Sequence, residues 1–254
     1  MRRLLFLTVG ICFCATPRTG LSQDAPRVGH VELRRYGDLL RQHGIELTEP
    51  ALINALKNPD SSVRFLAAMK LAEDKIGSAI PAVEQALVAE KVPRTRVNIA
   101  LALGLMGDEK GSAELRKICA DTIFVPEIRL YAVRYMFDLG VRNDQNCLVA
   151  AEEIAHTIDP ENFQLVADRQ SALELLTRFQ DLTPEESRKV FEVVTDRLDD
   201  PEPSVRIAAS QALVQLANIA AIPYLQGAIA KEQDEGIRSL LEKDLNKLQA
   251  KSKP

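Results

Sequence analysis

Metal and acid–base chemistry need particular side chains at particular spacings, and this chain of 254 residues offers few of them. Its three histidines are His30, His43 and His156. Zinc and iron sites are built from such groups at i,i+4 on a helix or from C-x-x-C turns, and neither spacing occurs. No metal or other cofactor is therefore expected. Acidic pairs stand at Glu152-Glu153, Glu185-Glu186 and Asp199-Asp200. Neighbours on a helix point about 100° apart, so such pairs do not converge on a substrate as a glycosidase's carboxylates do. Glu185-Glu186 suits a helix start. "DDPEP" reads as a turn whose carboxylates cap a helix or meet an arginine. No G-x-S-x-G, Walker A loop or strand-linked G-x-G-x-x-G occurs. "GLMGDEKGS" around Gly107 is glycine-rich, but it lies between helices and reads as a turn, not a phosphate cradle. His156, Asp159 and Asp168 cluster in residues 141–180, so a pocket there, enzymatic or small-molecule-binding, is the alternative reading. The primary expectation assigns no catalytic residue and no enzyme activity.

The bulk composition is that of a soluble protein, with 46% apolar and 27% charged residues, no Trp and 5% aromatics. The N-terminal stretch from Met1 to Ser22 differs. "MRR" precedes an apolar run, Leu4 to Ala15, which is short for a membrane span but right for a secretory signal. Cleavage is expected near Ser22, giving a periplasmic or secreted product; an uncleaved anchor is the alternative. Residues 23–30 read as a linker and 251–254 as a tail. Removing 1–22 takes away three Arg and no acid, which makes the net charge of −4 more negative still. That balance excludes nucleic acid, whose binding relies on Lys and Arg. No membrane insertion is expected after signal removal.

Two cysteines remain, Cys119 late in one helix and Cys147 early in another. In an oxidising compartment they could pair. If the two helices run parallel in register, however, the sulfurs lie roughly 9 Å out of step at 1.5 Å per residue. That exceeds the reach of a disulfide, about 7 Å between Cα atoms. Buried free thiols are the favoured reading and a disulfide the alternative.

What must position these groups is a repeated unit. "NPDSSVRFLAAMKLAE" from Asn58 and "DPEPSVRIAASQALVQ" from Asp200 are copies, and the register that lays Arg64 on Arg206 also carries Ile80-Pro81 onto Ile222-Pro223. Weaker copies lie between and after them. Their arginines, Arg64, Arg96, Arg129, Arg169, Arg206 and Arg238, recur at spacings of 32, 33, 40, 37 and 32. Such a period marks stacked helical hairpins. The first helix of each unit is apolar around most of its circumference and must be sandwiched. The second carries a narrower stripe: Val83, Ala86 and Leu87 face in while Glu84, Gln85 and Glu90 face out. Pro59 and Pro201 end units, Pro81 and Pro223 open second helices, "LTPEES" forms a capping box at Thr183, and Gly107 and Gly140 stop helices. No alternating run calls for a strand.

These passages resemble HEAT repeats, in the short form also found in phycobilin lyases. The likeness covers roughly residues 31–248 and is loosest in 141–180. It implies an all-α solenoid, an armadillo-like superhelix of about five and a half repeats over residues 31–250. It also implies that Arg64, Arg96, Arg129, Arg206 and Arg238, with Arg169 in the looser unit, bond acids or carbonyls of adjacent turns. Deoxyhypusine hydroxylase, a HEAT-like enzyme, holds iron through His-Glu dipeptides; none occurs here.

A solenoid exposes a long surface. Taken from the second helices, its lining is Glu84, Glu114, Arg116, Lys117, Glu152, Glu153, Lys189, Glu192 and Gln226. The expected function is that of an exported, non-enzymatic scaffold that binds a protein partner there.

Overall fold

A computed structural model describes residues 35–159 and 162–251. The expected signal (1–22), the linker (23–30) and residues 252–254 of the tail lie outside the described residues. Thirteen α-helices occur among those described: α1 (Arg35–Gln42), α2 (Glu49–Ala55), α3 (Ser61–Glu73), α4 (Ile80–Ala89), α5 (Pro93–Leu105), α6 (Glu109–Ala120), α7 (Pro126–Asp138), α8 (Gln145–His156), α9 (Gln164–Leu176), α10 (Pro184–Asp196), α11 (Pro203–Leu216), α12 (Ile222–Lys231) and α13 (Glu235–Lys251). No strand occurs among the described residues. Odd-numbered helices open units and even-numbered helices complete them, giving six pairs and one closing helix. The fold is an all-α solenoid.

Burial explains the layering. In α5 the five consecutive residues Ile99 to Leu103 are all buried, and so are Leu66 to Met69 in α3. Consecutive residues point all around a helix, so these two are covered over most of their circumference. Each odd helix packs against the odd helices before and after it, and α5 and α7 also pack against the even helices on both sides of them in sequence. An even helix has a single inward stripe; α4 buries only Val83 and Leu87. Small residues set the spacing of the odd layer: Ala67, Ala68, Ala100, Ala102, Ala132 and Ala209 are wholly buried.

The helix boundaries have local causes. Pro93, Pro126, Pro184 and Pro203 open α5, α7, α10 and α11, where no intrahelical N–H is lost. Asp60 and Asp108 accept from the N–H of Ser62 and Lys110, both at 2.8 Å, and Thr183 with Glu186 forms a full capping box. Where an odd helix turns into its even partner, the backbone enters the left-handed region at the same place after each of four repeat arginines, at Lys75 (φ 53°), Gly107 (86°), Gly140 (82°) and Ala217 (54°). Gly107 is therefore a helix stop. Gly111 in the same glycine-rich stretch answers a different need. A Cβ there would lie 2.3 Å from the backbone nitrogen of Gly104 and 2.5 Å from the Ala100 carbonyl, so α6 rests directly on the backbone of α5.

The cysteine expectation is corrected. Cys119 and Cys147 form a disulfide, with Cα atoms 4.9 Å apart and both residues buried. The in-register assumption fails because the first turn of α8 lies beside the last turns of α6. The Arg116–Asp144 ion pair, which reaches the N-cap of α8, fixes the same offset.

Two substitutions test this backbone account. Lys75→Gly removes a strained left-handed conformation and is expected to raise unfolding stability by about 1 kcal/mol. Gly111→Ala overpacks the α5–α6 contact and is expected to cost about 1–3 kcal/mol. Urea denaturation of both variants measures the two shifts, which must be opposite in sign.

Candidate functional site

The repeat arginines act as brackets between turns. Arg64 donates through Nη1 to the carbonyls of Asn58 (2.8 Å) and Pro59 (3.0 Å), and through Nε and Nη2 to both Glu90 oxygens (2.7 and 2.8 Å). Glu90 Oε1 also accepts from the N–H groups of Lys91 and Val92. In the second copy of the phrase, Arg206 repeats the arrangement with the carbonyls of Asp200 and Pro201 and the carboxylate of Glu232. The carbonyls of Glu90 and Glu232 in turn accept from Arg96 and Arg238. Arg96 also binds Glu114 (2.7 Å), and Arg129 joins the Cys119 carbonyl to Glu153 (2.8 Å). Arg169, only 2% exposed, spans the Thr157 carbonyl and Asp200, which is fully buried. Each guanidinium thus ties its own odd helix to the loop or helix end before it, and most also reach an acid further along the chain. The Arg64–Glu90 pair, bidentate and short, is of the strong kind.

These clasps and their neighbours absorb most of the second-helix residues expected to face a partner. Glu114 and Glu153 belong to the arginine clasps. Glu84 pairs with Lys110 of the next even helix at 2.6 Å, Arg116 with Asp144, and the buried Glu152 with Lys189 at 2.6 Å. Glu192 pairs with Arg188 on its own helix. Lys117 is the most open of the group, 77% exposed, with Glu114 at 3.8 Å. Gln226 is exposed on α12. An amphipathic pattern shows which face is polar. It does not show that the neighbouring even helix brings opposite charges to that face.

The middle cluster does not converge either. His156 closes α8, its Nδ1 within 3.0 Å of the Glu152 carbonyl and its Nε2 3.8 Å from Asp196. Asp168 belongs to the other layer, on α9, with Gln164 donating to it at 3.3 Å; burial pushes its carboxyl pKa up. It lines a small cavity of about 170 Å³ between α7 and α9 with Glu127, Tyr131 and Arg134. No group of three His, Cys, Asp or Glu among the described residues is placed to hold a metal ion.

Open surface lies instead along the odd helices. A cavity of about 510 Å³ is walled by Tyr36, Phe65, Arg94, Leu105, Tyr135 and Asp138, drawn from α1, α3, α5 and α7. The small α7–α9 cavity follows it, and a third of about 540 Å³ lies between α9 and α11, with Gln170, Glu174, Gln211 and Gln215 among its walls. On α3, α5, α7, α9 and α11 the lining residues recur at i, i+3 or i+4 and i+7, as one stripe must. Three of the four tyrosines stand on this strip, and the guanidinium of Arg94 lies 3.5 Å above the ring of Tyr131 while pairing with Glu127 at 2.9 Å. Tyr135 donates to Asn98 at 2.7 Å, and burial pushes its phenol up to about 12. Burial likewise raises the carboxyl pKa of Asp138. The aromatic half of the strip is thus walled by rings, aliphatic side chains and hydroxyls, with Arg94 and Asp138 as its charges.

A family model described as HEAT repeats matches residues 49–135 and 163–246, more than half of the chain. The chain belongs to the HEAT-repeat family. No curated protein matches it by sequence. Among solved structures, this HEAT-repeat chain aligns with human deoxyhypusine hydroxylase in complex with glycerol at 17% identity and a TM-score of 0.41, over 90% of this chain and 82% of that one. It also aligns with the CpcE–CpcF complex of phycocyanin lyase from Nostoc sp. PCC7120 at 19% identity and a TM-score of 0.35, over 79% and 87%. The expectation of a non-enzymatic chain is corrected by these findings. Structures similar to it include a hydroxylase and a lyase by name.

The clasps have a pH signature. Burial alone would raise the Glu90 carboxyl, but the Arg64 hydrogen bond and the Val92 and Lys91 N–H groups outweigh it and hold the pKa below its ordinary 4.5. Glu232 follows the same pattern with Asp234, Arg206 and Gln233. A carboxyl lowered on folding stabilises the fold above its unfolded pKa, and that contribution is lost as pH falls through the folded value. Stability is therefore expected to drop as the pH is lowered below 4.5, and less steeply in a Glu90→Gln, Glu232→Gln double variant. At neutral pH Arg64→Ala leaves Glu90 buried without its partner and is expected to cost about 3 kcal/mol. Arg94→Ala, at an exposed pair, should cost under about 1 kcal/mol. Denaturant titrations at neutral pH and through the acidic range below 4.5 measure both effects.

Proposed function

We propose that this HEAT-repeat protein binds a segment of a protein partner along the odd-helix strip and works outside the cytoplasm as an assembly or scaffold factor. The strip between α1 and α7 carries this reading. Tyr and Arg dominate the energetics of protein interfaces because they bring large contact area together with a polar tip. In a chain without Trp, three of its four tyrosines and the Arg94–Tyr131 stack stand there. An elongated strip on successive helices suits an extended or helical segment of a partner better than a compact ligand. Its polar groups are amides, hydroxyls and interspersed charges of both signs, among them Arg94, Glu127, Arg134 and Asp138, which argues for hydrogen bonding and apolar contact over bulk electrostatic attraction.

Export rests on the N-terminal sequence and is supported by the Cys119–Cys147 bond, which persists in oxidising compartments. If it is exported, the chain recovered from its compartment should begin near Gln23 by intact mass; recovery of a chain that retains residues 1–22 would contradict cleavage.

Site-specific photo-cross-linking in the native compartment tests the interface. A cross-linker replacing Leu105, on the strip, is expected to give one discrete adduct that Arg94→Ala and Tyr131→Ala abolish. One replacing Lys117, on the even layer, is expected to give none. Equal adducts from Lys117, or a Leu105 adduct indifferent to both substitutions, would contradict the proposal.

A further inference from the structure

The two copies of the repeated phrase share their arginine clasp but differ in what stands beside it. In the first copy α2 and α4 border a cleft of about 640 Å³, which shares only Val92 with the odd-helix strip. Its floor is apolar, formed by Ile53, Leu56, Ala82, Ala86 and Ala89, and the Arg64–Glu90 clasp closes one wall. In the second copy the same places are bridged. The register that lays Arg64 on Arg206 carries Glu49 to Phe191, Ala82 to Tyr224, Lys57 to Asp199 and Ala89 to Lys231. The Phe191 and Tyr224 rings meet edge to face at 5.6 Å, and Lys231 pairs with Asp199 at 2.9 Å. The first copy lacks the tyrosine, the phenylalanine and the ion pair at once. Its cleft lies where three of those side chains, Tyr224, Asp199 and Lys231, stand in its twin, while Glu49, in the place of Phe191, lies off the cleft and accepts from Ser78 at 2.6 Å.

Charge selects what enters. Lys57 and Lys91 stand at the rim and form no ion pair with any described residue. The only carboxylate on the walls, Glu90, is held by Arg64 and by two backbone N–H groups. An apolar floor beneath two unpaired ammonium groups is complementary to a molecule with an apolar body and one anionic end, and the volume is in the range of small-molecule sites. We propose that the α2–α4 cleft binds a small amphipathic anion, an aliphatic or aromatic body ending in a carboxylate, with Lys57 and Lys91 meeting the charge and Ala82, Ala86 and Ala89 giving room for the body.

Decanoate serves as the probe, titrated calorimetrically into the full mature protein beside decanol and decylamine. Saturable one-to-one binding of decanoate is expected, with decylamine at least tenfold weaker. Lys57→Ala with Lys91→Ala should weaken decanoate at least tenfold and leave decanol within about twofold. Ala82→Tyr, which installs the residue of the second copy, should abolish binding of decanoate and decanol alike. Ala89→Lys, from the same source, narrows the cleft at its other end and is used should Ala82→Tyr fail to fold; both are checked by thermal unfolding. No saturable decanoate binding to the unaltered protein would overturn the site. So would undiminished binding to a folded Ala82→Tyr or Ala89→Lys variant. Equal affinity for decylamine would overturn the assigned ligand class.

Discussion

A helix that must hide most of its circumference has no stable place at a surface, and α3 and α5 are such helices. With five consecutive buried residues in α5, no single partner could cover it; it needs neighbours before, behind and beside it. The requirement passes from unit to unit, because each odd helix that covers its neighbour must itself be covered. An elongated stack results, in which every hairpin is stable only in company. The alanines of the odd layer and the Gly111–Gly104 approach follow from the same demand, since close enclosure leaves no room for larger side chains there.

Stacking apolar helices still leaves loop carbonyls and helix ends at the junctions between units, where water is partly excluded. The arginine clasps meet that need. A guanidinium has donors enough to satisfy two carbonyls behind it and a carboxylate ahead of it, and its planar fork holds all of them in one geometry. The Arg64–Glu90–Arg96 and Arg206–Glu232–Arg238 series show the same device carried from one unit into the next. On the even layer the ion pairs Glu84–Lys110 and Glu152–Lys189 tie successive helices together from the outside. The molecule therefore uses its charges mainly upon itself, and what it leaves open is aromatic and amide-rich on one layer and a small basic-rimmed cleft on the other.

The period, the layer order and the helix boundaries were legible because each has a local cause: an apolar circumference, a proline in a first turn, a capping box at Thr183, a glycine at a helix stop. The arginine positions were legible from spacing. The Cys119–Cys147 pairing was not, since it depends on how far α8 slides along α6, and nothing in the periodicity of either helix encodes that offset. The even-layer acids were assigned to a partner for a related reason. Exposure can be inferred from one helix, but neutralisation by the next helix cannot. The odd-helix strip was missed because those helices were read as interior throughout. A signal was present in Tyr131, Arg134, Tyr135 and Asp138, an i, i+3, i+4, i+7 stripe too polar for a sandwiched face. Alignment of the two copies also held the substitution of Ala82 for Tyr224, a loss of bulk that has meaning only once α2 and α4 are seen to border a cleft.

Amide hydrogen exchange on the full-length protein, resolved helix by helix, tests the central claim most directly. If enclosure by neighbours holds the array together, the odd helices α3, α5, α7, α9 and α11 exchange slowest, each slower than the even helix that follows it, and α1 and α13 exchange faster because each is covered on one side only. Even helices protected as strongly as the odd ones, or a terminal odd helix as slow as α5, would mean that each hairpin stands on its own, and the account would fail.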